Sequence, residues 1–140
     1  MNQSELLNSF LIDLQRIFRT KIVPKELSYS QILAILIIPD AGIEMSELAS
    51  VMGLENSTVT RLITRLETNG FVKREKSIAD KRSIIVYLKN KGLKIQKNIE
   101  KKSDSIGQEI FFNYNQSQKE TILENLSLFQ WALKKTFLKR

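Results

Sequence analysis

The 140-residue chain contains neither cysteine nor histidine. The absence of cysteine excludes disulfides, thiolate metal sites and thiol redox switches. The absence of histidine removes the commonest metal ligand and the usual general base. The sequence also has no Gly-rich phosphate loop and no paired carboxylates in an apolar frame. We therefore expect no enzymatic activity, no metal site and no cofactor.

Residues that break helices and strands are scarce, and so are long apolar runs. With only two prolines and five glycines, the chain is expected to form long regular elements. The longest apolar run, Ile32–Ile38, is far too short to span a bilayer. The first residues carry no basic region of the kind that precedes a secretory signal. We expect a cytoplasmic protein with enough residues for a real core.

Positive charge is concentrated in one part of the chain. The net charge is +7 overall, but residues 1–70 carry six Lys or Arg against eight Asp or Glu. Residues 71–102 carry eleven Lys or Arg against three Asp or Glu. Such a local basic patch attracts nucleic-acid phosphates through counterion release. The alternative for this patch is a solvated lysine-rich surface.

Apolar periodicity and capping residues predict six helices. The first covers residues 4–20, where leucine, isoleucine and phenylalanine recur at helical spacing. The second is apolar on most sides, which is typical of a helix in the centre of a core. The second helix is predicted from the capping box Ser28-Tyr29-Ser30-Gln31 to about Ile38, and the third from Ser46 as N-cap through Met52 to Gly53. The fourth is predicted from Glu55 or Asn56 to Asn69-Gly70. The fifth is predicted from Asn90 to about Phe112, and the sixth from a capping box at Ser117-Gln118-Lys119-Glu120 to about Lys139.

Two strands interrupt the helices. Phe71–Glu75 is predicted as one strand and Arg82–Leu88, with its β-branched residues, as its partner. The predicted fold class is mostly α with a small β-hairpin wing (α+β). In this fold a winged helix-turn-helix is flanked by N-terminal and C-terminal helices, which are too long and too apolar to be tails.

The helix over residues 56–69 has the composition of a DNA-reading helix. Its apolar residues fall on one face, so short hydroxyls and arginines point outward. Serine and threonine can bond base edges, and arginine can pair with guanine or phosphate. The alternative is an ordinary amphipathic surface helix. The residues predicted to contact DNA from this helix are Asn56, Ser57, Thr58, Thr60, Arg61, Thr64 and Arg65.

A second cationic surface is predicted in the hairpin. The wing residues predicted to contact DNA are Lys73, Arg74, Lys76, Lys81 and Arg82. Arg82 near the turn could enter a minor groove. Asp80 cannot bind DNA by charge, and we expect it to orient Arg82 or an arginine of the reading helix by a charge-assisted bond. The lysines farther along the chain are expected to form a solvated helix face.

At these residues the chain resembles the MarR family of bacterial transcriptional regulators. The resemblance covers nearly all 140 residues, and its most specific part is the wing signature over Asp80–Gly92: Asp, any residue, Arg, an apolar strand, Leu, and Gly four residues on. Ser57–Leu62 with Leu66 and Gly70-Phe71-Val72 resembles the family's recognition helix and its exit. The family prefers Thr after the strand's Leu, where this chain has Lys89.

The resemblance implies a single MarR-like domain over residues 1–140. Residues 28–89 would form its DNA-binding part, and residues 1–22 and 90–140 its homodimer helices. An apolar stripe in the last helix independently favours a dimer; the alternative is packing of the two terminal helices against each other. The residues of this stripe are Ile122, Leu123, Leu126, Phe129, Ala132, Leu133 and Phe137.

Members of the family commonly lose DNA affinity when a small anionic or phenolic compound binds between the dimer helices and the winged domain. In this chain Arg16, Arg19 and Tyr29 could line such a crevice, although each of these types is more often a plain surface residue. The effector-binding residues therefore remain open. The composition excludes the cysteine oxidation switch of some relatives and a histidine-rich zinc site.

The sequence therefore predicts a sequence-specific, dimeric DNA-binding regulator, a repressor bound to a pseudo-palindromic operator in double-stranded DNA. A protein-interaction module is the alternative, since winged helices also serve as docking domains. The dense basic wing argues against that alternative, because a docking module needs no cluster of unpaired cations.

Overall fold

A computed structural model describes residues 1–138, so the predicted helix end near Lys139 lies outside the described residues. The structure confirms a mostly helical fold with a small wing. Residues 1–103 form one compact unit and the chain from residue 104 forms a second. The helices are α1 (Gln3–Ile17), α2 (Tyr29–Ile37), α3 (Met45–Met52), α4 (Asn56–Thr68), α5 (Asn90–Phe111) and α6 (Gln116–Phe137). The strands are β1 (Ile43–Glu44), β2 (Val72–Lys76) and β3 (Ile84–Leu88).

The wing is an antiparallel sheet in the order β1-β3-β2. Strand β2 pairs with β3 so that Arg74 lies opposite Val86, and Ile43 of β1 lies opposite Val86 on the other side. The predicted hairpin is therefore present, but β1 was not predicted, because two residues carry no readable alternation. Val86 is fully buried, and the sheet is thereby anchored to the core of the first unit.

Helix α2 begins at the predicted capping box. The Ser28 hydroxyl accepts a bond from the Gln31 amide at 3.1 Å, and the Gln31 side chain accepts one from the Ser28 amide at 2.9 Å. Two otherwise unpaired backbone donors are satisfied in this way. Ile32 and Ile35 are completely buried, which confirms the prediction that this helix lies in the core.

Two predicted N-caps are wrong. Ser46 lies inside α3, whose N-cap is Glu44 without a side-chain bond, because β1 runs directly into this helix. Ser117 lies inside α6, which begins two residues earlier, where the Asn115 side chain accepts a bond from the Gln118 amide at 2.8 Å. Asparagine caps at least as well as serine. The earlier start also adds helical hydrogen bonds at no cost in capping.

The first predicted strand, Phe71–Glu75, is displaced by one residue to Val72–Lys76 because of Phe71. Its amide donates to Leu66 at 2.9 Å, which closes the end of α4, and its carbonyl accepts from the Lys89 amide at 2.9 Å, just before α5. Phe71 is therefore a buried joint between two helices and not the first residue of β2. Arg82 belongs to the hairpin turn, since β3 begins at Ile84.

Gly92 explains one part of the family signature. A Cβ built at this position would collide with the Phe71 carbonyl oxygen and lie 3.2 Å from the Leu88 side chain. Any other residue would push the start of α5 away from the joint at Phe71. The glycine thus sets how closely α5 approaches the end of α4.

The terminal helices contrast with this core. Helix α1 starts at an unpredicted capping box between Asn2 and Glu5 and continues past Ile17 as a π-helical turn, Phe18–Ile22. Neither α1 nor α6, both of which lie within the described part of the chain, has a buried residue. Both helices nevertheless carry many large apolar side chains that remain exposed.

Candidate nucleic-acid interface

A helix-turn-helix is formed by α3 and α4. Gly53 ends α3 with a φ of +67°, a left-handed conformation that suits glycine. The Leu54 amide then donates to Ala49 at 3.1 Å and completes the turn. On α4, Val59, Ile63 and Leu66 are completely buried. These contacts fix α4 by its apolar side and leave its polar side facing outward.

The outward side of α4 carries two arginines without counterions. Arg61 and Arg65 are both exposed, and within residues 1–138 neither forms an ion pair with a carboxylate. Of the other predicted contact residues on α4, Thr58 is half-buried and the rest are exposed. An anionic ligand could therefore approach both guanidinium groups without displacing a partner.

The hydroxyl groups on α4 fall into two classes. The hydroxyls of Thr60 and Thr64 donate to the carbonyls of Asn56 and Thr60, at 2.8 and 2.7 Å. Thr68 repeats the pattern at 2.9 Å. The hydroxyls of Ser57 and Thr58 form no hydrogen bond within the described residues. They remain free to bond a ligand.

The hairpin turn is organised around Asp80. One carboxylate oxygen accepts from the Arg82 amide at 3.0 Å and from the Arg82 Nε at 3.5 Å. The other accepts from the Ser83 hydroxyl at 3.4 Å. The Arg82 side chain is nevertheless 93% exposed. Asp80 thus holds the backbone of the turn and one edge of the guanidinium, while the rest of Arg82 points into solvent.

Strand β2 brings its three cations into different surroundings. Lys73 Nζ lies 3.0 Å from Glu75, and Lys76 is exposed without an ion pair in the described chain. Arg74 is half-buried and binds Glu67 of α4, through Nη2 at 2.8 Å and through its backbone amide at 3.0 Å. The structure therefore does not group Arg74 with the free cations of the wing.

The Glu67–Arg74 contact links α4 to the wing. Hydrogen bonding to the Arg74 side chain lowers the pKa of Glu67, which stays ionised at neutral pH. Sequence reasoning missed this pair because the two residues are seven positions apart and separated by a turn. No helical or strand spacing brings such positions together.

Two clefts border α4. One, of about 190 Å³, lies between the start of α3, the start of α4 and the wing, and it brings Arg82 and Ser83 close to Asn56 and Thr60. Ser46 also lines it. The second, of about 300 Å³, lies between the start of α2 and α4 and is lined by residues including Ser30, Thr58, Arg61 and Arg65. The serines were missed as site residues because only tertiary packing places them beside α4.

Only part of the suggested effector crevice comes together. The Arg19 guanidinium lies 4.2 Å from the centre of the Tyr29 ring, and Phe18 meets the same ring edge-on at 6.0 Å. Arg16 instead pairs with Asp13 at 3.4 Å. Arg19 and Tyr29 are thus neighbours, while Arg16 is engaged elsewhere.

Neither a metal site nor a membrane-spanning helix is found in the described residues. No group of three or more acidic side chains could hold a metal ion there. No helix within residues 1–138 is both long and apolar enough to cross a membrane.

Comparison with known proteins identifies the family. The sequence model of the MarR family matches residues 27–84. YfiV of Bacillus subtilis (strain 168), an uncharacterized HTH-type transcriptional regulator, is 30% identical over 109 residues, which cover 77% of this chain and 68% of YfiV. The chain belongs to the MarR family. It is therefore a winged helix-turn-helix transcriptional regulator by family, and family membership confirms that it is not an enzyme.

A second relative matches a smaller part. TtmR of Methylorubrum extorquens (strain PA1), an HTH-type transcriptional regulator, is 33% identical over 78 residues. These cover 55% of this chain but only 40% of the length of TtmR.

Solved structures share the fold of this MarR-family chain. A mutant MarR from E. coli superposes with a TM-score of 0.78 at 22% identity, and the match covers 93% of this chain and 97% of the MarR chain. FabT of Streptococcus pneumoniae, solved in complex with DNA, superposes with a TM-score of 0.70 at 20% identity. The match covers 97% of this chain and 93% of the FabT chain. At these identities the comparison shows a common fold.

Proposed function

We propose that this MarR-family chain is a dimeric, sequence-specific repressor that binds a pseudo-palindromic operator in double-stranded DNA. The observation that carries the proposal is the exposed cationic surface formed by α4 and the wing. Arg61 and Arg65 on α4 have no counterion in the described chain, and Arg82 of the wing is almost fully exposed beside the start of α4. The structure of the relative FabT with DNA supports this assignment.

In the proposed complex α4 lies in the major groove. Its outward side chains are short apart from the two arginines, so the helix backbone can approach the bases closely. Arg61 and Arg65 pair with guanine or phosphate, and the free hydroxyls of Ser57 and Thr58 bond bases or phosphates. Asn56, Thr60 and Thr64 complete the reading surface.

The wing contributes the second contact. Arg82, held at one edge by Asp80, enters the adjacent minor groove, where the negative potential favours a guanidinium. Lys73, Lys76 and Lys81 contact phosphates. We assign Arg74 a supporting position, because its guanidinium is already bound to Glu67.

The dimer uses the apolar faces of the terminal helices. Leu126 and Phe129 of α6 are 42% and 43% exposed, and Leu11 of α1 is 69% exposed. Large apolar side chains that recur along one exposed helix face favour a partner surface that covers them. A second copy related by a two-fold axis covers them and sets the two reading helices at half-sites about one helical turn apart.

Two further parts of the proposal concern the cell. We place the protein in the cytoplasm, where an operator would be. We also propose that a small anionic or phenolic compound releases the DNA. The partly exposed pair of Arg19 and Tyr29 supports this idea, since it offers a cation beside an aromatic ring.

The test is selection of bound duplexes from a random-sequence pool, followed by affinity measurements on the enriched duplex and on random DNA at two salt concentrations. A repressor of this type should enrich two related half-sites. Its affinity should fall steeply with salt on both DNAs, because phosphate contacts release counterions. Only the enriched site should retain tight binding at the higher salt.

Two results would contradict the proposal. Absence of any duplex binding would favour the protein-interaction module. Binding without sequence preference would leave only a phosphate-binding surface. Adding a small phenolic carboxylate to the complex tests the effector separately, since release requires a bound complex to begin with.

A further inference from the structure

We propose that Thr60 and Thr64 read operator thymines through their methyl groups and not by donating their hydroxyl protons. The inference rests on the proposed function, because it concerns how α4 distinguishes bases once it lies in the major groove. It divides the outward residues of α4 into two chemically different sets of base readers.

The observation is the repeated hydrogen bond between side chain and backbone. Thr60 Oγ1 lies 2.8 Å from the Asn56 carbonyl, and Thr64 Oγ1 lies 2.7 Å from the Thr60 carbonyl. A hydroxyl has one proton to donate. In both residues that proton is already directed at the helix backbone, so it is not available to a base.

The remaining substituent on each Cβ is a methyl group. Both threonines are exposed, so this methyl group forms part of the reading surface. Thr64 has Arg61 and Arg65 as neighbours on the outward side, and Thr60 lines the cleft that also contains Arg82. Both positions therefore lie beside exposed cations that would bring DNA onto α4.

Thymine is the base that such a surface fits. In the major groove, thymine differs from the other bases by its C5-methyl group, which apolar side-chain atoms and threonine methyls contact. Ser57 and Thr58 differ from the two threonines of the proposal, because their hydroxyls form no bond within the described chain. They remain able to donate to base edges or phosphates.

Paired substitutions separate methyl readout from hydroxyl readout. Thr64→Val keeps a methyl group and removes the hydroxyl, whereas Thr64→Ser keeps the hydroxyl and removes the methyl group. The same pair at Thr60 gives an independent set. All four changes are on the exposed face, and far-UV circular dichroism and a thermal melt should match the wild type.

The DNA probe is the duplex that wild-type protein enriches from a random pool, made once with thymine and once with deoxyuridine at every thymine position. Wild-type protein should bind the thymine duplex about fourfold more tightly for each methyl contact. Thr64→Val should keep this discrimination. Thr64→Ser should lose the part of the preference for the thymine duplex that comes from the Thr64 methyl group, and should bind the two duplexes more equally.

A matched control is available at Thr20. This exposed threonine makes the same bond, to the Arg16 carbonyl at 2.8 Å, but it lies in the π-helical turn after α1. Thr20→Ser should leave the discrimination between thymine and uracil unchanged.

Several outcomes would overturn the proposal. Equal binding of the two duplexes by wild-type protein, or an enriched site without thymine, would remove its basis while leaving the repressor assignment intact. Loss of affinity for both duplexes in Thr64→Val, with affinity and thymine preference kept in Thr64→Ser, would show that the hydroxyl and not the methyl group reads the base. Failure to enrich any duplex would overturn the proposed function together with this inference.

Discussion

Helices α4 and α6 are both amphipathic, but within the described chain only α4 buries residues of its apolar face. The 13-residue α4 buries Val59, Ile63 and Leu66 completely. The 22-residue α6 has no buried residue among those described. The apolar side of α4 is used to hold the helix in place, so its polar side is free to bind a ligand. In α6 the apolar side itself remains to be covered.

The charges follow the same division. Around α4 the negative charge of Glu67 is matched by Arg74, while Arg61 and Arg65 are left unmatched within residues 1–138. Unmatched cations on a firmly packed helix favour an anionic partner. Exposed leucine and phenylalanine on a long helix favour an apolar partner. The two regions thus point to two kinds of partner, and each can be tested by substitutions in its own region.

The largest effect is expected from breaking the apolar face of α6. Leu126→Asp combined with Phe129→Asp should convert a dimer to a monomer, because an apolar interface cannot bury two carboxylates without a large cost. Operator affinity should then fall with it, since each monomer would hold only one half-site. Analytical ultracentrifugation at micromolar concentration measures the association.

A matched control for that change is Thr121→Asp, an exposed position early in α6. It adds negative charge to the same helix away from the stripe and should leave the dimer intact. A wild-type protein that sediments as a stable monomer would remove the dimer from the proposal.

The next effect is expected in the wing. Arg82→Ala should weaken operator binding by about 2 kcal/mol and lower the salt slope by about one unit per half-site. Arg82→Lys should keep the slope but recover only part of the affinity, because lysine lacks the planar fork. Fluorescence anisotropy across a salt series measures both quantities.

Asp80→Ala tests how Arg82 is held. The change removes a negative charge near DNA, so electrostatics alone would tighten binding. We expect weaker binding instead, because the bonds from Asp80 to the Arg82 amide and Nε are lost. Tighter binding would mean that Asp80 is only a turn residue.

A smaller and more selective effect is expected on α4. Thr58→Ala or Arg61→Ala should cost about 1–3 kcal/mol on the enriched site and much less on random DNA. Competition between the two duplexes measures this difference directly. Equal losses on both DNAs would leave these residues as phosphate contacts without a role in sequence choice.

The smallest effect is expected from Glu67→Gln. Arg74 holds the pKa of Glu67 below its ordinary value, so the stabilisation is present above the ordinary carboxyl pKa and is lost as pH falls through the lowered one. Because both side chains are partly exposed, the free energy of unfolding at neutral pH should fall by about 1 kcal/mol or less.

Thermal melts at neutral pH and near pH 3 measure this effect, and the variant and the wild type should converge in acid. Glu75→Gln is the control, since Glu75 pairs with Lys73 where both side chains are more than half exposed. A difference between Glu67→Gln and wild type that persists in acid would mean that shape, not charge, links α4 to β2.

Much of the fold was predictable because it depends on local patterns. The apolar spacing of α4, the capping box at Ser28 and Gln31 and the glycine turn after α3 are each encoded within a few residues. The caps at Ser46 and Ser117 were predicted wrongly for the same reason. At Ser117 the nearby Asn115 is an equally good cap, and at Ser46 strand β1 leads directly into the helix. A local pattern does not rank such alternatives.

The candidate site was predictable as a set of residues but not as an arrangement. The sequence placed Arg61, Arg65 and Arg82 in elements that suit DNA. It did not separate Arg74 from the other cations, because Glu67 reaches Arg74 only after the chain turns back on itself. It also did not separate bonded from free hydroxyls on α4, since that depends on side-chain conformation.

The sequence by itself determined the class of partner, which is DNA. It has a basic hairpin after a helix with a hydroxyl-rich and arginine-bearing face, and the chain lacks catalytic residue types. These are properties of composition and of spacing along one helix or strand. Only the tertiary structure decided which cations are already neutralised, how Asp80 holds Arg82, and why Gly92 must lie against Phe71. Those outcomes depend on groups far apart in the chain, whose distances are set by packing and not by sequence order.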